Sequence, residues 1–124
     1  AGLAWALGLP VEIVLSLAPK SVTAPVAMGV AEKIGGIPAL AAIFAVITGM
    51  VGALSGKYLF DALGIETGAT GWMARGFALG TAAHGIGAAR ALQVNADAGA
   101  WAALALGLQV VLASLLIPLV ARLF

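Results

Sequence analysis

The sequence has no cysteine, one histidine, few aromatic residues and very few charges. Without Cys there is no disulfide framework and no thiolate metal site. With a single His, His84, a zinc site would lack ligands. Charge is confined to eleven of 124 residues, six Lys or Arg and five Asp or Glu. A soluble domain carries about 25% charged residues, and 9% cannot cover a globule of this size. The formal net charge of +1 provides no basic face, which excludes nucleic acid as a partner. Aromatics at 6%, and apolar residues in blocks rather than alternation, argue against a membrane β-barrel.

What is abundant is apolar and small. Hydrophobic residues make up 63%, Gly contributes 17 residues, and Ala is commoner still. Mean hydropathy is +1.14. Disorder is excluded, because its signature is low hydrophobicity. The composition is that of closely packed membrane helices, in which small residues let backbones approach. The length allows roughly four or five passes of about 20 residues. We therefore expect an all-α, polytopic membrane protein. The opening Ala-Gly-Leu-Ala-Trp lacks the basic region and cleavage pattern of a signal peptide, and suggests a fragment of a longer protein.

Two stretches read as uninterrupted transmembrane helices. Ile34 to Gly56 is free of charge between Lys33 and Lys57, and Ala98 to Ala121 between Asp97 and Arg122. Pro38 opens the first at a position where a missing N–H is harmless. Gly49, Gly52 and Gly56 point to helix contact along it. Two other segments are interrupted. In the first, a helix over Val11 to Leu17 follows a break at Pro10. Pro19 and Pro25 then bracket Lys20, Ser21 and Thr23, and a helix from Pro25 to Lys33 stops at Gly35-Gly36. Lys57 to Gly71 reads as a connection. The second interrupted segment, Trp72 to Val94, carries Thr81, His84 and Arg90 among glycines, with a break near Gly85–Gly87 as plausible as a continuous helix. In a continuous helix, Thr81, His84, Ala88 and Ala91 would share a face. A shift of 60 lays Ser21 on Thr81, Val26 on Ile86 and Ile34 on Val94, a possible internal repeat of one interrupted segment and one clean span.

Irregular backbone at membrane depth is tolerated where it lines a cavity or is buried in protein. The break at Pro25 frees N–H groups at a half-helix start, a ready anion site beside Lys20 and the hydroxyls of Ser21 and Thr23. Lys20 at a membrane surface, with the prolines making a turn, is an equal reading of the same residues. An ionisable residue within a span is a functional candidate, and an imidazole side chain is of a type suited to proton coupling, which makes His84 the candidate here. We prefer that to a neutral His bonded to a neighbouring helix carbonyl. Arg90 faces either a lipid headgroup or a substrate. Glu12, Asp61, Glu66, Asp97, Lys57, Arg75 and Arg122 read as helix-end or loop groups. Neither Ser21 nor Ser55 sits in a nucleophile elbow, so we expect no enzyme activity, no metal and no cofactor.

Ala18-Pro-Lys-Ser-Val-Thr-Ala-Pro-Val-Ala-Met28, Ile34-Gly-Gly-Ile-Pro38 and the run from Ala74 through Gly80-Thr-Ala-Ala-His84 to Ala91 resemble the LrgB/CidB family. The similarity covers essentially all 124 residues and matches the family's C-terminal half. The family usually has Thr where this chain has Ala24 and often Ser where it has Ala83. It also often has a Glu and two Ser within Ala98-Gly-Ala-Trp-Ala-Ala-Leu104. Those losses weaken any role for the replaced groups. The resemblance implies a multi-pass protein of the bacterial cytoplasmic membrane. It implies one of two activities: an antiholin-like regulator of murein hydrolases working with a small LrgA/CidA-type membrane partner, or a carrier of glycolate, glycerate or pyruvate. A homo-oligomer is expected. The residues expected to bind a small carboxylate are Lys20, Ser21, Thr23, Pro25, Thr81, His84 and Arg90, with the lipid bilayer as surroundings.

Overall fold

The computed structural model describes residues 1–122. Among them are six helices and no strand: α1 (Gly2–Ala6), α2 (Val11–Leu17), α3 (Ala24–Ile34), α4 (Pro38–Ala62), α5 (Ala69–Val94) and α6 (Ala96–Ala121). α4 and α6, at 25 and 26 residues, are long and apolar enough to cross a membrane. At 1.5 Å per residue each measures about 38 Å, beyond the ~30 Å of a hydrocarbon core. Both leave most of their apolar surface exposed, including Ile47, Val51 and Leu54 of α4 and Leu108, Leu112 and Leu115 of α6.

The helix boundaries follow local chemistry. Pro10 precedes α2, and Pro25 and Pro38 occupy first-turn positions of α3 and α4, as expected for a residue whose missing N–H costs nothing there. α3 stops at Gly35, whose φ of 84° is the left-handed cap that glycine adopts freely. α4 runs on to Ala62, past the expected end at Gly56. Lys57 and Asp61 lie one turn apart on it as an ion pair at 2.9 Å, so both charges extend the helix instead of ending it. α5 likewise begins at Ala69, earlier than Trp72. The approach at the N-terminus is the short α1, a turn through Gly8 at φ 75°, and Pro10.

α5 is two helices. At His84 the backbone leaves helical space, with φ 42° and ψ −134°. Beyond it the chain doubles back: a Cβ on Gly87 would meet the carbonyl of Leu79 and the side chain of Ala83, which eight residues of straight helix would hold about 12 Å away in the case of Leu79. The two arms are residues 69–83 and 85–94. Asn95 then reverses the chain again, its side chain accepting from Ala98 N at 3.0 Å to cap α6. Gly76 lies against Ala98 and Gly80 against Ala102, so α6 runs parallel to the first arm. α4 runs antiparallel to that arm, with Gly49 facing His84, Gly52 facing Ala83 and Gly56 facing Leu79.

The core is built of small residues. Ala27, Ala31 and Val22 pack with Ala41 and Ala45 of α4, with Ala113 of α6 set against them. Ala91, Ala98 and Ala102 form a second cluster under Trp72 and Leu79. α2 is tied to the start of α4 by Ser16, fully buried. Its hydroxyl donates to Glu12 O at 2.6 Å and accepts from Ile37 N at 2.7 Å. α3 therefore descends from mid-molecule toward one end of α4, while α5 rises from the other end and turns at His84.

Candidate functional site

The two interrupted segments meet at their tips. Thr23 is the N-cap residue of α3, and its methyl group lies 3.9 Å from a Cβ built on Gly85, the residue after the α5 reversal. Both α3 and the second arm of α5 begin at this contact. The positive ends of two half-helices are thus brought together. No side chain caps α3: the first backbone bond into it is Ala27 N to Thr23 O at 2.8 Å, which leaves the N–H groups of Ala24 and Val26 without a side-chain acceptor.

Around this contact the expected residues take different places. Lys20 and Ser21 form the turn before α3, where the Lys20 ammonium donates to the Ser21 hydroxyl at 3.0 Å; both are half-buried. Pro25 lies in the first turn of α3 and is exposed. His84 is buried. Its Nε2 lies 2.7 Å from the carbonyl oxygen of Ala45, so that nitrogen carries the proton and donates. Gly49 makes the room: a Cβ there would fall 2.7 Å from His84 Nε2 and 2.8 Å from Cε1. His84 thereby fastens the α5 tip to the middle of α4. Arg90 is exposed and, with Ala53, Gly85, Ile86, Ala89 and Gln93, lines an open groove of about 440 Å3 that starts at the tip and runs along the second arm.

Thr81 is not brought to the tip contact. It lies on the exposed side of the first arm, its hydroxyl donating to Phe77 O at 2.8 Å. The face that a continuous helix would give to Thr81, His84, Ala88 and Ala91 is divided by the reversal. Of the expected residues, Thr23 and His84 are thus found at the tip contact, Thr23 against Gly85, with Lys20 and Ser21 in the adjoining turn.

Three polar residues matter more than their surroundings in the sequence suggest. Ser16 sits in a short apolar helix, and nothing local marks it as the bolt between α2 and α4. Arg75, read as a helix-end group, is buried between the rings of Phe60 and Trp72, 5.6 and 5.7 Å from their centroids. It donates to Ile65 O and pairs with Asp61 at 2.9 Å, which fixes the α4–α5 connection. Gln109 is a lone amide in the charge-free stretch of α6, a signal the sequence did carry. Its Oε1 is buried and has no hydrogen-bond partner among the described residues.

An all-helical chain with two spanning-length apolar helices and two broken segments meeting tip to tip belongs among membrane proteins, not water-solvated globules. The LrgB-like family model matches residues 1–123, and the chain belongs to that family. It is 32% identical over 117 residues to the holin-like protein CidB of Staphylococcus epidermidis, covering 94% of this chain and 49% of that protein. It is 31% identical over 119 residues to holin-like protein CidB of Staphylococcus aureus, with 96% and 50% covered. To an uncharacterized protein of Haemophilus influenzae it is 34% identical over 121 residues, with 98% and 51% covered. The chain thus spans about half the length of the curated relatives it matches. No solved structure matches it.

Proposed function

We propose that this chain forms the C-terminal half of a carrier for small carboxylates of the glycolate, glycerate or pyruvate class, crossing a bacterial cytoplasmic membrane several times. One observation carries the reading: the start of α3 touches the start of the second arm of α5 in mid-molecule, through Thr23 and Gly85. Half-helix N-termini of discontinuous helices are how several carriers hold an anionic group near the bilayer midplane. Here the carboxylate lies against the Ala24 and Val26 N–H groups, within reach of Lys20, Ser21 and Thr23. His84 holds the opposing tip in place, and Arg90 lines the way out along the groove. Thr81 has no part in this arrangement.

The same geometry supports an internal repeat. Ser16 contacts Ile37 in the first half, and Gly76 contacts Ala98 in the second, 60 and 61 residues on. In each half a segment folds back on itself and is followed by one long helix. A unit that returns and then crosses once delivers the chain to the other face. On this reading the two units are inverted, in keeping with the antiparallel course of α4 and α6.

The test is uptake of labelled glycolate and pyruvate by the full-length protein in proteoliposomes. Uptake is expected to fall at least tenfold in Lys20→Ala. An unchanged rate in that variant defeats the site, and no uptake by the wild type defeats the carrier. The relatives' name, holin-like protein, favours a second reading: a regulator of murein hydrolases and autolysis that assembles with itself and with a small LrgA/CidA-type partner. That reading predicts an autolysis phenotype that persists in transport-dead Lys20→Ala.

A further inference from the structure

Gly85 is where the tip contact and the open groove coincide. It faces Thr23 at the start of α3, and with Ala53, Ile86, Ala89 and Arg90 it lines the groove of about 440 Å3. Neither conformation nor packing demands glycine there. Its φ is not positive, unlike those of Gly8, Gly35 and Gly64. Gly76, Gly80 and Gly87 lie against backbone carbonyls that leave no room for a side chain. At Gly85, beyond its own stretch of chain, an added Cβ has a single heavy atom within 4 Å, the Thr23 methyl carbon at 3.9 Å. Two carbon atoms about 3.5–4.0 Å apart are in optimal contact. A methyl group at position 85 therefore fits, and it closes the space between the two tips. Glycine leaves that space open by the depth of one methyl group, although alanine is the better helix former.

The gap has a defined setting. One wall is the methyl group of the residue that precedes α3, and the groove opens beside the other wall at Gly85. With the carboxylate on the start of α3, the rest of the ligand extends toward the facing tip. Its first carbon atoms enter the gap, and the walls limit their bulk. We infer that Gly85 and the Thr23 methyl group are specificity-determining: together they set the width of the seat, so that acids of two or three carbons enter and longer or branched acids do not. The inference rests on the carrier reading and goes beyond it by naming what bounds the ligand. Apolar walls of this kind discriminate one methylene by roughly tenfold or more.

The experiment compares apparent KM for labelled glycolate and labelled pyruvate, with full-length protein in proteoliposomes, and adds unlabelled four-carbon and branched five-carbon keto acids as competitors. In the wild type the larger acids are expected to compete at least roughly tenfold more weakly than pyruvate. Gly85→Ala is expected to raise the pyruvate KM relative to that of glycolate roughly tenfold. Thr23→Ser removes the methyl group and keeps the hydroxyl. Alone it should strengthen competition by the four-carbon acid, and combined with Gly85→Ala it should return the pyruvate-to-glycolate ratio toward the wild-type value. A purely structural role for either residue predicts no such return. A ratio unmoved by Gly85→Ala, or moved and not restored by Thr23→Ser, overturns the inference while the carrier stands, as does a wild type that accepts the branched acid as well as pyruvate. Should Gly85→Ala fail to fold, Thr23→Ser alone decides, and no gain for the four-carbon acid overturns the inference. A wild type that takes up neither labelled acid overturns the carrier reading and this inference with it.

Discussion

His84 is the one non-glycine residue with positive φ among those described. Its φ of 42° and ψ of −134° fall near the first corner of a type II′ turn, a region that glycine visits freely and residues with a Cβ do not. The ring is kept there by what it gains: burial beside Gly49 and a hydrogen bond to Ala45 O across the α4–α5 interface. Backbone cost and side-chain gain can be separated by substitution. His84→Ala loses the ring and keeps the strain, whereas His84→Gly loses the ring and relieves it. Both variants are expected to melt below the wild type. The glycine variant should be the more stable of the two by about 1 kcal/mol, the reverse of the usual helix order. Thermal unfolding of the three proteins in one detergent measures this. An alanine variant as stable as the glycine variant, or more so, would mean that the reversal is not fixed at residue 84.

At the scale of elements, the contacts that set the architecture are made by glycine against backbone. On the first arm of α5, Gly76 and Gly80 face the carbonyls of Ala98 and Ala102, where an added methyl could be accommodated only by moving α6 as a whole. Gly107 of α6 has nothing within 4 Å. Gly76→Ala and Gly80→Ala are each expected to cost about 3 kcal/mol as overpacking, while Gly107→Ala should be neutral or slightly stabilising. Melting temperatures of the three variants check the contrast, and equal effects would show that α5 and α6 are not in close contact. The sequence displays much of this level. Proline and glycine mark α2 and both ends of α3, and Gly49, Gly52 and Gly56 mark the α4 contact face, because those residue types have local causes. The break expected near Gly85–Gly87 lies one residue earlier, on a residue that turns against its own preference because tertiary contacts hold it. The course of the chain after the break is decided by packing of Gly87 on Leu79. Periodicity carries no trace of that, and the roles of Ser16 and Arg75 are hidden for the same reason. Their partners are 21 and 10 residues away.

For the whole molecule, the proposed inversion of the two units makes a claim about sides. α3 ends at Ile34 and α4 begins at Pro38, at one end of the molecule; α4 ends at Ala62 and α5 begins at Ala69, at the other. If α4 crosses the bilayer, Glu32 and Glu66 are exposed on opposite faces, and the tip contact of Thr23 with Gly85 lies between them at depth. The sequence contains no cysteine, so single cysteines introduced into it report without background once any elsewhere in the full-length protein are replaced. Glu32→Cys and Glu66→Cys are expected to react with a membrane-impermeant maleimide from opposite sides of sealed vesicles. Gly85→Cys should react slowly from either side, and its labelling should be slowed further by millimolar glycolate. Reaction of Glu32→Cys and Glu66→Cys from the same side would mean that α4 does not span, and the inverted relation of the halves would fall with it. Opposite sides with fast labelling at position 85 would keep the span but open the tips to water. Protection by glycolate is what joins topology to transport, because a ligand seated between the tips must shield the residue that follows His84.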